Sequence, residues 1–295
     1  MPTCYRHPSR ETGVSCANCG RPICPDCMTT TPVGMRCPEC SKQRTKVVRL
    51  RDTARIPQAT YALIVINVIA FLAEGPSAFT LDGAPNGTVY LKGALLGSSE
   101  YPQLAGQGVA HGQLWRILSS GFLHDSFLHI GFNMYVLYIL GCMLEPALGR
   151  VKFVSIYAVA LFTGSLGALL VSPHALTVGA SGAVFGIMGA AAVEMRSRQI
   201  PVMQSGVGSL ILINLVISFT LPGISWGGHV GGLIGGGLAA YAFQFASRRS
   251  TPALAYAACV LLAVVGIGGS IEASKSSEVE TATLPPGFST QQQPE

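Results

Sequence analysis

Long apolar runs separated by short polar connections occupy the chain from residue 57 to residue 270. A transmembrane helix needs about 20 residues to cross a hydrocarbon core of about 30 Å, and seven of the runs approach that length. We therefore predict seven membrane-spanning helices, at residues 57–73, 126–147, 151–171, 177–195, 200–221, 224–246 and 252–270. One connection is long, 74–125, and its glycines, prolines and scattered apolar residues predict a loop that partly embeds at the membrane interface.

Composition supports this pattern, since 49% of the 295 residues are apolar and only 11% are charged. A soluble globular protein of this length needs more charged surface, so we expect a polytopic membrane protein of the all-α class. The first 50 residues lack the apolar segment that a cleavable signal peptide requires.

Lysine and arginine lie almost entirely on one side of the predicted spans. These residues accumulate in short cytoplasmic connections, which predicts a cytoplasmic amino terminus and an external carboxyl-terminal tail. The cytoplasmic set is Lys42, Arg44, Lys46, Arg49, Arg51, Arg55, Arg150, Lys152, Arg196, Arg198, Arg248 and Arg249, against Lys92, Arg116 and Lys275 outside. The net charge of +5 follows from this topology and from acidic lipid headgroups, and does not indicate nucleic-acid binding. The compact seven-span layout without a eukaryotic targeting signal favours a bacterial plasma membrane.

Seven of the nine cysteines lie in the first 40 residues and form, with one histidine, four pairs of the same short spacing. The pairs are Cys4 and His7, Cys16 and Cys19, Cys24 and Cys27, and Cys37 and Cys40. Eight such ligands can hold two tetrahedral zinc ions, and the segment resembles a B-box or a RING cross-brace. That resemblance favours pairing the first pair with the third and the second with the fourth. A disulfide knot is the alternative, which a reducing cytoplasm disfavours. A segment with almost no core needs the two structural zinc ions to fold.

Four hydrogen-bonding side chains fall at one predicted depth in three different spans. The second span brings His129 and Asn133, the fourth brings Ser181, and the sixth brings His229. All three spans enter from the outer face, and at a rise of about 1.5 Å per residue each side chain lies in the outer third of the bilayer. Intramembrane polar groups are costly, which makes these four residues functional candidates.

Glycines recur at three- and four-residue spacing beside two of these side chains. Small residues at that spacing let two membrane helices approach closely, so that Ser181 could reach His229. The alternative is that the glycines only tighten packing and Ser181 bonds a carbonyl one turn back. The glycines are Gly182, Gly186 and Gly189 in the fourth span, and Gly228, Gly232 and Gly236 in the sixth.

These side chains can support acyl transfer. Serine becomes a nucleophile when a neighbouring neutral histidine removes its proton. The oxyanion then needs donors, for which His129, Asn133 and the backbone N–H of Ser181 are available. We predict a serine–histidine dyad rather than a triad, because the acidic residues lie at the outer margins or the cytoplasmic ends of the spans, namely Glu74, Asp125, Glu145 and Glu194.

Three motifs together resemble a rhomboid intramembrane serine protease over residues 57–247: GASG at 179–182, GGHVGGLIGG at 227–236 and HDSFLHIGFN at 124–133. The resemblance implies a six-helix bundle, with a seventh helix as found in some members, and catalysis without a cofactor. It implies Ser181 as nucleophile, His229 as general base, and His129 and Asn133 as oxyanion stabilisers. The supporting residues that it implies are His124 near the water-accessible cavity, Trp115 and Arg116 in the first loop, and Phe185 against His229. Relatives often have tyrosine at the position of Phe185, whose ring can still stack on the histidine.

The same resemblance implies transmembrane protein substrates, held in the lipid bilayer, whose helix is unwound near the outer face by glycine, proline or polar residues. Unwinding is needed because a helical peptide bond in lipid is shielded by its own hydrogen bonds. Cleavage would then release an external domain. His111 and His174 are expected to be surface residues of the outer loops.

The predicted organisation is a zinc-binding domain at 1–41, a basic linker at 42–56, a protease core at 57–247, a seventh helix at 252–272 and a disordered outer tail at 273–295. Two alternatives remain. An inactive rhomboid-like scaffold would bind membrane helices, but the intact Ser181 and His229 argue against it. An adaptor or ubiquitin-ligase-like protein would use the zinc-binding domain to bind a protein partner, but the order of Cys4 and His7 departs from that of a RING.

Overall fold

The computed structural model of the chain describes residues 1–42, 56–79, 87–99 and 104–283. The chain divides into two compact units, Met1–Arg55 and Ile56–Glu295. The predicted basic linker lies outside the described residues except for its first and last positions.

The amino-terminal unit contains little regular structure. Strands β1 (Thr29–Thr31) and β2 (Gly34–Arg36) form an antiparallel hairpin in which Thr29 is opposite Arg36. A 3-10 turn at Pro25–Cys27 precedes the hairpin, and the short helix α1 (Pro38–Lys42) follows it. The buried apolar residues are six cysteines and Ile23. Such a core is too small to offset the conformational entropy of folding, so the cysteines must contribute more than packing.

A helix lies at each of the seven predicted spans in the second unit. They are α2 (Gln58–Ala73), α5 (Phe127–Leu148), α6 (Arg150–Val171), α7 (Ser181–Ser197), α8 (Val207–Thr220), α9 (Trp226–Arg248) and α10 (Pro252–Thr283), with the short α3 (Thr88–Gly93) and α4 (Arg116–Ser119) between α2 and α5. Among the described residues, α5, α6 and α10 are long and apolar enough to cross a membrane, and α2 and α8 are apolar but shorter. The glycine-rich α7 and α9 do not meet both criteria.

Three helix boundaries differ from the prediction. Helix α7 begins at Ser181 rather than at 177, because Thr177 forms an isolated bridge with Leu95 and Gly179 has a φ of +126°. Helix α8 begins at Val207 rather than at 200, after a turn that ends in the left-handed Gly206.

The predicted end of the seventh helix at residue 270 or 272 is also wrong, since α10 continues to Thr283. The hydroxyls of Ser270 and Ser274 donate to carbonyls one turn back, each at 2.7 Å, so these polar residues do not interrupt the helix. Residues 284–295 of the predicted tail lie outside the described residues.

The long connection between α2 and α5 is built around a buried arginine. The Arg116 guanidinium is fully buried and donates to the carbonyls of Leu91 at 2.9 Å and Ala94 at 2.6 Å, and to the side chains of Gln107 and Gln113. The exposed Trp115 donates from its indole to the carbonyl of Lys92 at 3.1 Å. Arg116 therefore ties α3 and the residues after it to the start of α4.

Candidate active site

Ser181 and His229 meet where two glycine-rich helices begin. Ser181 is the first residue of α7 and His229 lies in the first turn of α9, with Ser181 Oγ 2.8 Å from His229 Nε2. The side chain of Ser225 caps α9 by accepting from the N–H of Gly228 at 3.4 Å. The contact between Ser181 and His229 is a hydrogen bond between a hydroxyl and an imidazole, which is the arrangement that serine activation requires.

Backbone contact between α7 and α9 allows this approach. A Cβ on Gly232 would overlap the carbonyl oxygen of Gly182, and a Cβ on Gly236 would overlap the carbonyl oxygen of Gly186. Any larger residue would separate the two helices, so the glycine spacing directly sets the distance between Ser181 and His229.

The imidazole of His229 has two contacts besides the one with Ser181. Phe185, one turn after Ser181, stacks on it with ring centroids 4.2 Å apart and an interplanar angle of 12°. Its Nδ1 lies 2.6 Å from the hydroxyl of Ser218, near the end of α8. Sequence reasoning missed Ser218, because a single serine near the end of an apolar run carries no spacing signal of its own.

His129 and Asn133 lie on one face of α5 and line the same cavity as Ser181 and His229. His129 Nε2 approaches Gly179 so closely that a Cβ there would be 2.8 Å away. Asn133 donates one amide hydrogen to the carbonyl of His129 at 2.9 Å, which leaves its second hydrogen available. The cavity has a volume of about 710 Å³, within the range of about 300–1,000 Å³ typical of ligand sites.

An acidic residue, Asp125, lies in the candidate site, but it contacts His129 and not His229. Asp125 Oδ1 lies 2.9 Å from His129 Nδ1, although the sequence had suggested only that Asp125 sits at the outer margin of the span. Partial burial would raise the pKa of this carboxyl, but the hydrogen bond and charge of His129 outweigh that effect and the pKa is lowered. Asp125 is therefore a carboxylate at neutral pH.

The other histidines named in the sequence analysis of the membrane unit take different positions. His124 is fully buried behind His129, with ring centroids 5.1 Å apart, and its backbone N–H donates to Glu74 at 2.9 Å. His111 is exposed, whereas His174 is half-buried with its Nδ1 3.2 Å from the hydroxyl of Ser98.

Comparison with known proteins shows what the chain is similar to. A rhomboid domain matches residues 111–245. The chain is 31% identical over 138 residues to the putative rhomboid protease YdcA of Bacillus subtilis, covering 45% of this chain and 69% of that protein. The chain belongs to the rhomboid family. It is also 32% identical over 189 residues to the rhomboid protease GluP of Bacillus subtilis, covering 63% of this chain and 35% of that protein. Rhomboid-like protease 1 of Toxoplasma gondii is 36% identical over 146 residues, covering 47% of this chain and 48% of that protein.

The chain thus spans less than half the length of these last two rhomboid relatives. The matched rhomboid domain extends from the loop before α4 to α9 and contains Ser181, His229, His129 and Asn133. The amino-terminal unit lies outside that match.

Two candidate metal sites lie in this amino-terminal unit. Cys4, His7, Cys24 and Cys27 form one group and Cys16, Cys19, Cys37 and Cys40 form the other, which is the interleaved grouping. Within each group the ligand atoms all lie within 4.8 Å of one another, and Cys19 Sγ is 3.8 Å from Cys37 Sγ. A tetrahedron with metal–sulfur distances of about 2.3 Å has edges of about 3.8 Å, whereas a disulfide bond is about 2.05 Å long.

Thiols in the two groups differ in how readily they ionise. The backbone N–H of Cys37 lies 3.3 Å from Cys16 Sγ and lowers the pKa of the Cys16 thiol to about 6. Burial and the hydrogen bonds that the Cys27 thiol donates to Cys4 and Cys24 raise its pKa to about 11. A cation between the ligands would favour the ionised form of these thiols.

Proposed function

We propose that this rhomboid is an intramembrane serine protease that cleaves transmembrane protein substrates through Ser181 and His229. The observation that carries the proposal is the hydrogen bond of 2.8 Å between Ser181 Oγ and His229 Nε2, at the wall of a cavity that His129 and Asn133 also line. The names of three similar proteins, each called a rhomboid protease or rhomboid-like protease, support the same activity.

The proposed reaction begins when Ser181 Oγ attacks the substrate carbonyl carbon and His229 Nε2 takes the hydroxyl proton. The tetrahedral oxyanion accepts hydrogen bonds from Asn133 Nδ2, His129 Nε2 and the backbone N–H of Ser181. This N–H is available because the first residues of a helix lack an intrahelical acceptor. The intermediate expels the amine, which takes the proton from His229, and leaves an acyl ester on Ser181. Water then hydrolyses the ester with His229 again acting as base.

The charge distribution supports the orientation that this reaction needs. With the amino terminus in the cytoplasm of a bacterial cell, the starts of α5, α7 and α9 face outside, and cleavage occurs near the outer end of the substrate helix. A substrate helix must unwind there, because its peptide bonds are otherwise shielded.

The test is cleavage of a single-span protein by purified protein in liposomes, with the cut position found by mass spectrometry. Ser181→Ala and His229→Ala should each abolish cleavage, whereas Ser155→Ala, which changes an exposed serine of α6 that bonds its own helix, should leave it unchanged. Asn133→Ala should only weaken cleavage, because two oxyanion donors remain. Equal cleavage by wild type and Ser181→Ala would overturn the role of Ser181. Binding of substrate helices with no cleavage and no labelling of Ser181 by a fluorophosphonate would favour a scaffold.

The two cysteine groups fit structural zinc by donor type and by tetrahedral spacing. We further propose that each holds one zinc ion, through Cys4, His7, Cys24 and Cys27 in one case and Cys16, Cys19, Cys37 and Cys40 in the other. Neither ion is needed for catalysis, since the proposed reaction uses only side chains of the rhomboid domain.

A further inference from the structure

Helix α8 buries a polar residue where an apolar residue would be expected. Its buried residues are Val207, Gly208 and Ser218, and only Ser218 belongs to the half of the helix near the candidate active site. Its neighbours Ile217 and Phe219 are exposed to the surroundings of the bundle. Burial of a hydroxyl is unfavourable unless its hydrogen bonds are satisfied, so the partners of Ser218 explain why it is tolerated.

Those partners determine the direction of each hydrogen bond. Ser218 Oγ lies 2.6 Å from the carbonyl oxygen of Asn214 and 2.6 Å from Nδ1 of His229. A carbonyl can only accept, and a serine hydroxyl has one hydrogen. The hydroxyl therefore donates to Asn214, which leaves it as the acceptor from a hydrogen on Nδ1.

We infer that Ser218 is a positioning residue that fixes His229 as the tautomer with hydrogen on Nδ1 and a free lone pair on Nε2. This is the tautomer in which Nε2 can accept the proton of Ser181, whose hydroxyl is 2.8 Å away. The opposite tautomer would place a hydrogen between Nε2 and Ser181 and would prevent general-base catalysis. The inference rests on the proposed function and deepens it.

Ser218 thus takes the position that an aspartate holds in a serine protease triad, but without a charge. In such triads the third residue selects the histidine tautomer and orients the ring. The face of the ring is already covered by Phe185, so Ser218 and Ser181 together fix its rotation at both nitrogens. Within the described residues, no carboxylate forms a hydrogen bond with this imidazole.

Kinetics in liposomes provide the first test. Ser218→Ala should lower kcat about tenfold, a barrier increase of about 1.4 kcal/mol, with KM unchanged, because substrate binding does not involve Nδ1. Ser218→Thr, which keeps the hydroxyl, should recover most of the loss. The matched control is Thr220→Ala on the same helix, since Thr220 bonds its own helix at 2.8 Å and is exposed, and this variant should behave as wild type. Unchanged kcat in Ser218→Ala would overturn the inference.

A spectroscopic test requires neither substrate cleavage nor the Ser218→Thr variant, whose larger side chain has to fit a buried position. The protein has six histidines, and nitrogen-15 NMR of histidine-labelled protein in liposomes, with His229→Gln to assign the signal, distinguishes the two tautomers. Wild type should carry hydrogen on Nδ1 of His229, and Ser218→Ala should populate both tautomers. Hydrogen on Nε2 in wild type, or an unchanged tautomer in Ser218→Ala, would overturn the inference. If wild type cleaves no substrate, the proposed function fails while this measurement still decides the role of Ser218.

Discussion

Asp125 contacts His129, the proposed oxyanion donor, whereas His229, the proposed base, has the hydroxyl of Ser218 as its partner. A carboxylate at His129 Nδ1 compensates the positive charge of an imidazole that carries hydrogen on both nitrogens. Because Nδ1 donates to Asp125, Nε2 can donate to the proposed oxyanion only when the ring carries hydrogen on both nitrogens. Ser218, the partner of His229, carries no charge, and in the tautomer inferred above Nε2 of that ring can accept a proton.

This difference predicts the effect of Asp125→Asn. The amide can still accept from Nδ1, but it removes the negative charge, so we expect kcat to fall about tenfold with little change in KM. The measurement is steady-state cleavage in liposomes, compared with Asp26→Asn, which alters an exposed carboxylate of the other unit. An unchanged kcat would mean that the charge of Asp125 contributes nothing to the transition state.

Sequence reasoning brought Ser181, His229, His129 and Asn133 to one depth, because helical rise and charge asymmetry place each residue along its own helix. It could not find the contact between Ser218 and His229. That contact depends on how α8 rotates against α9, and helical rise carries no information on rotation between helices.

At the scale of elements, α9 packs against its neighbours by backbone contact at some of its glycines but not at all of them. Gly232, which lies at such a contact, can therefore be compared with Gly237, which has open space where a Cβ would be. A Cβ at Gly232 would overlap the carbonyl oxygen of Gly182, whereas a Cβ at Gly237 would meet no atom within 4 Å. We expect Gly232→Ala to destabilise the protein by about 3 kcal/mol and to abolish cleavage, because the helices must separate. Gly237→Ala should change stability by less than about 0.5 kcal/mol. Thermal unfolding in detergent measures both, and equal effects would exclude the close approach of α7 and α9.

A buried glutamate joins α5 to the start of α2. The Glu145 carboxylate accepts from the N–H groups of Ala59 at 2.9 Å and Thr60 at 2.8 Å, and from the hydroxyl of Thr60 at 2.8 Å. These are the orphan donors of the first turn of α2, and the negative charge also interacts favourably with the helix dipole.

Loss of the Glu145 charge should weaken the attachment of α2 to α5 and so lower the stability of the protein. We expect Glu145→Gln to lower the free energy of unfolding by about 2 kcal/mol, because the amide repels one of the donors and removes the charge. Glu194→Gln is the control, since Glu194 pairs with the exposed Arg198 just after the end of α7, and it should cost less than about 0.5 kcal/mol. Equal losses of stability in the two variants would show that the Glu145 contacts add nothing beyond an ordinary surface ion pair.

Apolar run length alone predicted where each helix lies, but helix ends depended on contacts that run length does not encode. The bridge between Leu95 and Thr177 delays α7 until Ser181. Helix α10 extends past its apolar run because Ser270 and Ser274 satisfy their hydroxyls within the helix, a possibility that a hydropathy pattern cannot distinguish from a helix end.

At the scale of the whole molecule, the two units obtain their stability by different means, and metal removal should separate them. The amino-terminal unit has little core beyond its cysteines, whereas the rhomboid unit has a large apolar core. We expect two zinc ions per purified chain by elemental analysis and one in Cys19→Ser, whereas Cys259→Ser, which alters a buried cysteine of α10, should retain both.

Stripping zinc from the full-length protein with a chelator should make residues 1–42 sensitive to trypsin, because such units fold only with metal. Cleavage by Ser181 should persist in the stripped protein, since the proposed reaction involves no metal. A purified chain without zinc would overturn the metal assignment, and loss of cleavage on stripping, reversed by zinc, would show instead that the amino-terminal unit controls the protease.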